Sequence, residues 1–161
     1  MIIGHKEDFA VEYSIANNYP NNMGYGRIWV KNKFIGTYLD LIFIVGYLLG
    51  TVNEFKKAKE LTEDLRHLSK EQLFNLLFSG QDNNLDKYRV RGSTFTDDFS
   101  IWTYRIDNMT FILWQIRRTD FFDDLKDYKK DIFLENVTTS LINKVIIELE
   151  TELKKEGILK V

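Results

Sequence analysis

The chain contains no cysteine, only one proline and only two histidines among its 161 residues. Without cysteine there are no disulfides, no thiolate metal sites and no cysteine nucleophile, a composition that suits a reducing compartment. The histidines, His5 and His67, each lie among polar residues, and neither has a second histidine three to five positions away to build a zinc pair. Two surface histidines are the plain reading, and neither a metal nor a cofactor is expected. No serine occupies a Gly-x-Ser-x-Gly elbow, and no glycine loop joins a strand to a helix as phosphate binding requires. Gly24-Tyr25-Gly26 leads into a strand and lacks a third glycine, so it is read as a bulge or tight turn.

Long apolar runs are missing too. The most continuous, residues 41–49, holds nine uncharged residues, well short of the ~20 needed to cross a bilayer as a helix. The opening residues 1–8 carry neither the basic region nor the apolar stretch of a signal peptide. The expectation is a cytoplasmic chain that does not contact the membrane. Charge is balanced, 22 Lys and Arg against 24 Asp and Glu for a net charge of -2. No global positive field is available to hold a phosphate backbone, so direct binding of nucleic acid is not expected.

What the chain does have is core material. Hydrophobic residues at 44% and charged residues at 29% describe a foldable globular chain, and residues 1–161 fit a single domain. Twelve Phe, eight Tyr and three Trp supply side chains large enough to fill a core or to anchor an interface.

Periodicity then sets the elements. Phe9, Val11, Tyr13 and Ile15 alternate with smaller or polar residues as in a strand with one buried face. An asparagine-rich turn over residues 17–22 holds Pro20 and leads to a strand over 26–30. Lys31-Asn32-Lys33 then spaces a tight hairpin to a third strand over 34–38. A helix is predicted over about 41–59. A second, short helix is predicted from Ser69, which forms a capping box with Gln72, to a stop at Gly80, with a polar loop over 81–86 beyond it. Residues 99–106 and 110–117 read as a hairpin, with Trp102, Tyr104 and Ile106 either sharing a face with Ile112, Trp114 and Ile116 or lying opposite Phe111 and Leu113. The last helix is predicted to carry Val137, Leu141, Ile142, Val145, Ile146, Leu149 and Leu153 on one stripe, with Thr138, Thr139 or Ser140 as its cap, and should lie across the sheet. The fold class expected is α+β: an antiparallel sheet built from the N-terminal three-stranded meander and the later hairpin, packed against about three helices.

One polar feature is concentrated. Residues 120–131 carry Asp120, Asp123, Asp124, Asp127 and Asp131 interleaved with Phe121, Phe122 and Tyr128. A calcium loop is excluded, because Phe122 stands where an oxygen ligand is needed and no glycine occurs. Spacing alone supports no paired-carboxylate chemistry. Two readings stay open: a solvated short helix with its aspartates near the N-terminus, or an acidic rim around aromatic anchors that steers in a basic protein partner and holds it. Arg117-Arg118 is read as a solvated strand end, with pairing to the aspartates that follow as the alternative.

Met1-Ile2-Ile3-Gly4, Phe9-Ala10-Val11-Glu12-Tyr13, Gly24-Tyr25-Gly26-Arg27, Trp29, Asn32, Ile35-Gly36 and Tyr38 together resemble the immunity protein 42 family of bacterial polymorphic-toxin systems. The likeness is densest over the meander; the hairpin around Trp102 and Trp114 and the stretch 131–134 follow it in layout. The resemblance implies a non-enzymatic cytoplasmic antitoxin that binds and blocks the toxin domain encoded beside it, and a basic toxin would match the aspartates. A non-enzymatic adaptor of another system and, less well supported, a small hydrolase are the competing readings. The pattern sets no oligomeric state.

Overall fold

The structure, a computed structural model, describes residues 1–20 and 22–160. Asn21 of the predicted turn, and Val161 at the end of the expected domain, lie outside the described residues. The rest forms nine strands and three α-helices in two sheets.

The first sheet is antiparallel. Strands β1 (Ile2–His5), β2 (Phe9–Ile15), β3 (Met23–Val30) and β4 (Lys33–Ile35) pair in sequence order, and β5 (Ile42–Phe43) adds to the start of β3. The predicted meander is present, extended by β1, whose four residues are too short to declare a period. Lys31 and Asn32 adopt positive φ of 49° and 62° between β3 and β4, the mirror-image turn that matches strand twist in a two-residue hairpin.

The helix predicted over 41–59 is shorter and less regular. It begins as a π-helical stretch, Ile44–Leu49, and becomes α1 only over Gly50–Lys56. The wider π turn sets Ile44 and Leu48 against β3. There Gly24 and Gly26 leave them room: a Cβ on Gly24 would fall 2.1 Å from the Ser14 carbonyl, and one on Gly26 would fall 2.7 Å from Leu48 Cδ2. These glycines mark the close approach of helix to strand inside a regular ladder, not the bulge or turn expected of them. Gly46, by contrast, is exposed, and a Cβ there would meet only Phe43 Cβ at an ordinary 3.8 Å.

The second sheet is mixed. The short β6 (Lys59–Glu60) runs parallel to β7 (Phe99–Ile106), which forms the predicted hairpin with β8 (Met109–Ile116) across Asp107-Asn108; β9 (Phe133–Thr138) completes it. The α+β class is as expected, with the meander and the later hairpin lying in different sheets. Register resolves the open question of faces. Trp102 stands opposite Leu113, and Tyr104 opposite Phe111, so these share one face, while Ile101, Ile112, Trp114 and Ile116 share the other. Both faces are buried, which is why alternation along these strands gave no polar side.

Helix α2 (Lys70–Ser79) covers the Trp102 face with Leu73, Phe74 and Leu77. It has the predicted capping box of Ser69 with Gln72, and Gly80 ends it at φ 63°. The loop predicted over 81–86 is partly a 3-10 helix, Asn83–Tyr88. Helix α3 (Thr139–Lys155), capped by Thr138, sends its apolar stripe into the main core shared by β2, β3, α1 and the Trp114 face of the hairpin; Val137, expected at the head of that stripe, lies instead in β9, paired with Thr110 before the helix starts. It lies across the first sheet, against β1 and β2.

The packing contrast between the glycines is testable. Gly24→Ala forces backbone and Ile44 apart and is expected to cost about 1–3 kcal/mol, as overpacking does. Gly46→Ala, in an open helical position, is expected to be neutral or to stabilise by up to ~1 kcal/mol. Urea midpoints for the two variants check this; equal shifts would remove the close-approach explanation.

Candidate protein-binding surface

Residues 120–131 do not form the short helix considered for them. Only Asp123–Leu125 turns, as a single 3-10 turn, and the rest is irregular. The run is held by its own acidic and aromatic residues to both sheets. Asp124 accepts hydrogen bonds from Thr37 Oγ1 (2.7 Å) and the Tyr38 backbone N–H (2.8 Å), just past β4 of the first sheet. Tyr128 receives the indole N–H of Trp114 on β8 (2.9 Å) and donates to the Phe34 carbonyl on β4 (2.5 Å). Its ring packs edge-on against Phe34, Phe99 and Phe133, and burial pushes its hydroxyl pKa up to about 12 despite the Trp114 hydrogen bond. Gln115 on β8 reaches the Lys130 carbonyl, and Lys33 on β4 pairs with Glu135 on β9. Leu125 is fully buried in the main core.

The eight residues singled out in this run therefore divide. Asp124, Phe122 and Tyr128 face inward and clasp the two sheets together. Asp120, Phe121, Asp123, Asp127 and Asp131 face solvent, and Phe121, at 74% exposed, is a large apolar side chain left in water. Asp123 pairs with Lys126 at 2.5 Å, which holds its carboxyl below the usual range. Arg117 and Arg118 bond backward and not to these aspartates: Arg118 Nε meets the buried Asp98 at 2.8 Å, and Arg117 caps the Asp97 carbonyl.

Next to the clasp lies a surface the linear reading missed. The side of the first sheet turned away from α1 and α3 presents Tyr25, Arg27 and Trp29 from β3, Glu12 from β2, Phe34 from β4, and Tyr38 just beyond; all are half-buried. Glu12 Oε2 accepts from Arg27 Nε (2.9 Å) and Trp29 Nε1 (2.8 Å) and has Lys6 Nζ at 3.5 Å. Burial alone would raise the Glu12 pKa, but the hydrogen bonds from Arg27 and Trp29 and the charges of Arg27 and Lys6 outweigh it and hold the carboxyl below its usual range. The Arg27 guanidinium sits 4.7, 4.8 and 5.4 Å from the ring centres of Trp29, Phe34 and Tyr38. The signal was in the sequence, as the alternation of Tyr25, Arg27 and Trp29 with Gly24, Gly26 and Ile28. It read only as a strand because aromatic residues on strands are more often core.

His5 and His67 are exposed. Among the described residues no three His, Asp or Glu side chains gather as a metal ion would need. Of the described helices, none is long and apolar enough to cross a membrane. A cleft of about 870 Å³ runs under residues 80–97, lined among others by Phe78, Trp102, Arg89 and Arg117, and neither histidine lines it.

A family model, immunity protein 42, matches residues 1–154. Among solved structures, CdiI from Burkholderia dolosa AUO158 is similar in fold, with a TM-score of 0.64 over 94% of this chain and 99% of that one at 12% identity. No curated protein matches.

Two measurements test the local physics. Tyr128→Phe leaves the Trp114 N–H and the Phe34 carbonyl without their shared partner, and is expected to cost about 1–3 kcal/mol in a denaturant titration. Glu12, its folded pKa lowered, contributes stability that is complete above its unfolded pKa and is lost as pH falls through the folded value. Acid titration of Glu12→Gln should therefore show a shallower loss of stability than wild type at and below the ordinary carboxylate range; parallel curves would contradict the assignment.

Proposed function

This chain belongs to the immunity protein 42 family, antitoxins that bind and neutralise a toxin, and from that premise we propose that it acts in the cytoplasm, without catalysis, by covering its cognate toxin domain with the exposed side of residues 120–131. The observation that supports this reading is the division within that run. Asp124 and Tyr128 are spent on fixing the segment to both sheets, so Phe121 and the carboxylates of Asp120, Asp123, Asp127 and Asp131 are presented on a backbone already ordered before the partner arrives. Pre-ordering spares the complex the entropy of fixing a loop. A large exposed aromatic inside a charged rim is the usual composition of an interface anchor.

The toxin surface that meets this rim is basic. Its attraction is modest, because five aspartates and three lysines leave the run a net -2, and Asp123 is already partnered by Lys126. Rim charges of this kind set the rate of encounter more than the final affinity. The chain acts as one binding domain, a reading supported by the apolar core to which both sheets contribute.

Co-expression with the toxin domain encoded beside the gene is the test. Wild type should co-purify with the toxin and restore growth. Phe121→Ala is expected to weaken the purified complex by about 2 kcal/mol, the level of an interface hot spot, with no change in thermal midpoint. Asp120→Asn, Asp127→Asn and Asp131→Asn together should slow association and flatten its dependence on salt. Absence of any complex between two folded proteins would count against the antitoxin role; a complex indifferent to all four changes would move the contact elsewhere.

A further inference from the structure

We propose that the outer side of the first sheet, centred on Arg27, is the apolar centre of the toxin-binding surface and receives a carboxylate of the toxin. This rests on the antitoxin reading above and names the chemistry of the partner that the sheet takes.

No described helix packs on this side of the sheet, although it is built from the residue types that dominate binding energy at interfaces. Tyr25 and Tyr38 lie 6.3 Å apart and Trp29 and Phe34 5.5 Å apart, with the Arg27 guanidinium between the two pairs. Arg27 uses Nε on Glu12, and among the described residues its two Nη groups make no hydrogen bond. Contact with three rings at 4.7–5.4 Å and the tie at Nε restrain the guanidinium, and a restrained guanidinium fork with N–H groups left over matches a carboxylate in two parallel hydrogen bonds. Charge points the same way. Lys6 and Arg27 meet the single carboxylate of Glu12, leaving the centre of the face one positive charge in excess.

The face is continuous with the exposed acidic run. Tyr38 donates its backbone N–H to Asp124, and the rings of Phe34 and Tyr128 meet edge-on with centres 5.0 Å apart, so the aromatic floor adjoins the inward residues that hold the run in place. The toxin surface that fits both is apolar around one acidic side chain and basic at its edge.

The experiment uses the full-length protein and the purified complex with the neighbouring toxin. Arg27→Lys keeps the charge and loses the fork; it is expected to weaken binding ~30-fold, the size of a hot-spot loss. Tyr25→Ser, whose ring leans on Tyr38 and takes no hydrogen bond, should weaken binding with the thermal midpoint unchanged, and covers the case in which Arg27→Lys disturbs the sheet. Asp→Asn and Glu→Gln substitutions across the toxin should then reveal one position whose loss matters against wild type and no longer matters against Arg27→Lys. Wild-type affinity in both Arg27→Lys and Tyr25→Ser, with the complex itself intact, overturns the placement on this face and leaves the antitoxin role standing. Loss of affinity without any coupled toxin carboxylate overturns the carboxylate assignment. Failure of wild type to bind at all overturns the reading beneath both.

Discussion

The hydroxyl of Tyr128 is the point at which the two sheets depend on one another. It takes a hydrogen from the indole of Trp114, a side chain with no exposure, and gives its own to the carbonyl of Phe34 on the edge strand of the other sheet. A buried N–H and a backbone carbonyl without partners each cost free energy comparable to a lost hydrogen bond. The irregular segment that carries Tyr128 is therefore held in place although it has almost no backbone pattern of its own. Leu125, buried completely, and Asp124, bonded to Thr37 and Tyr38, complete the clasp from within a single turn. Once those inward residues are set, the direction of Asp120, Phe121, Asp127 and Asp131 toward solvent follows.

Much of the scaffold was legible because local chemistry announces it. The Ser69 and Gln72 capping box, the stop at Gly80, a tight hairpin after β3 and the apolar stripe of α3 from Leu141 on all rest on interactions within a few residues and all appear, the hairpin turning on Lys31-Asn32 with Lys33 already in β4. What was hidden depends on distant partners. Strand β9 carries no alternation, because it owes its place to six paired residues of β8 and to the start of α3. The π-helical turn before α1 exists because β3 offers two glycines for Ile44 and Leu48 to approach, a match no window along residues 41–59 contains. The faces of the β7-β8 hairpin stayed ambiguous because both are covered, one by α2 and one by the main core.

The acidic run shows the same limit at the level of function. In sequence its five aspartates are equivalent. In the fold Asp124 is a structural acceptor, Asp123 an exposed ion pair, and the others exposed carboxylates. Counting carboxylates therefore overstates the field the segment can exert. Charge density along a chain says little about charge available to a partner, because folding consumes some of it in hydrogen bonds and neutralises more with nearby lysines.

That consumption also explains why an antitoxin would place cationic and aromatic groups beside acidic ones. A uniformly acidic surface attracts any basic protein, and its pull fades as salt screens it. An arginine held among rings at the centre, as proposed for Arg27, would discriminate differently, since a partner lacking a carboxylate there must desolvate the guanidinium and offer nothing in return. The Glu12 network supplies the rigidity this needs. Its carboxyl, held below the usual range against its own burial by Arg27, Trp29 and Lys6, pins Arg27 and Trp29 and so restrains the fork against an ill-placed acceptor. On the proposed surface, attraction at the rim would bring many candidates close and the restrained centre would accept few of them; specificity for one toxin among related ones would follow from keeping these two tasks on different residues.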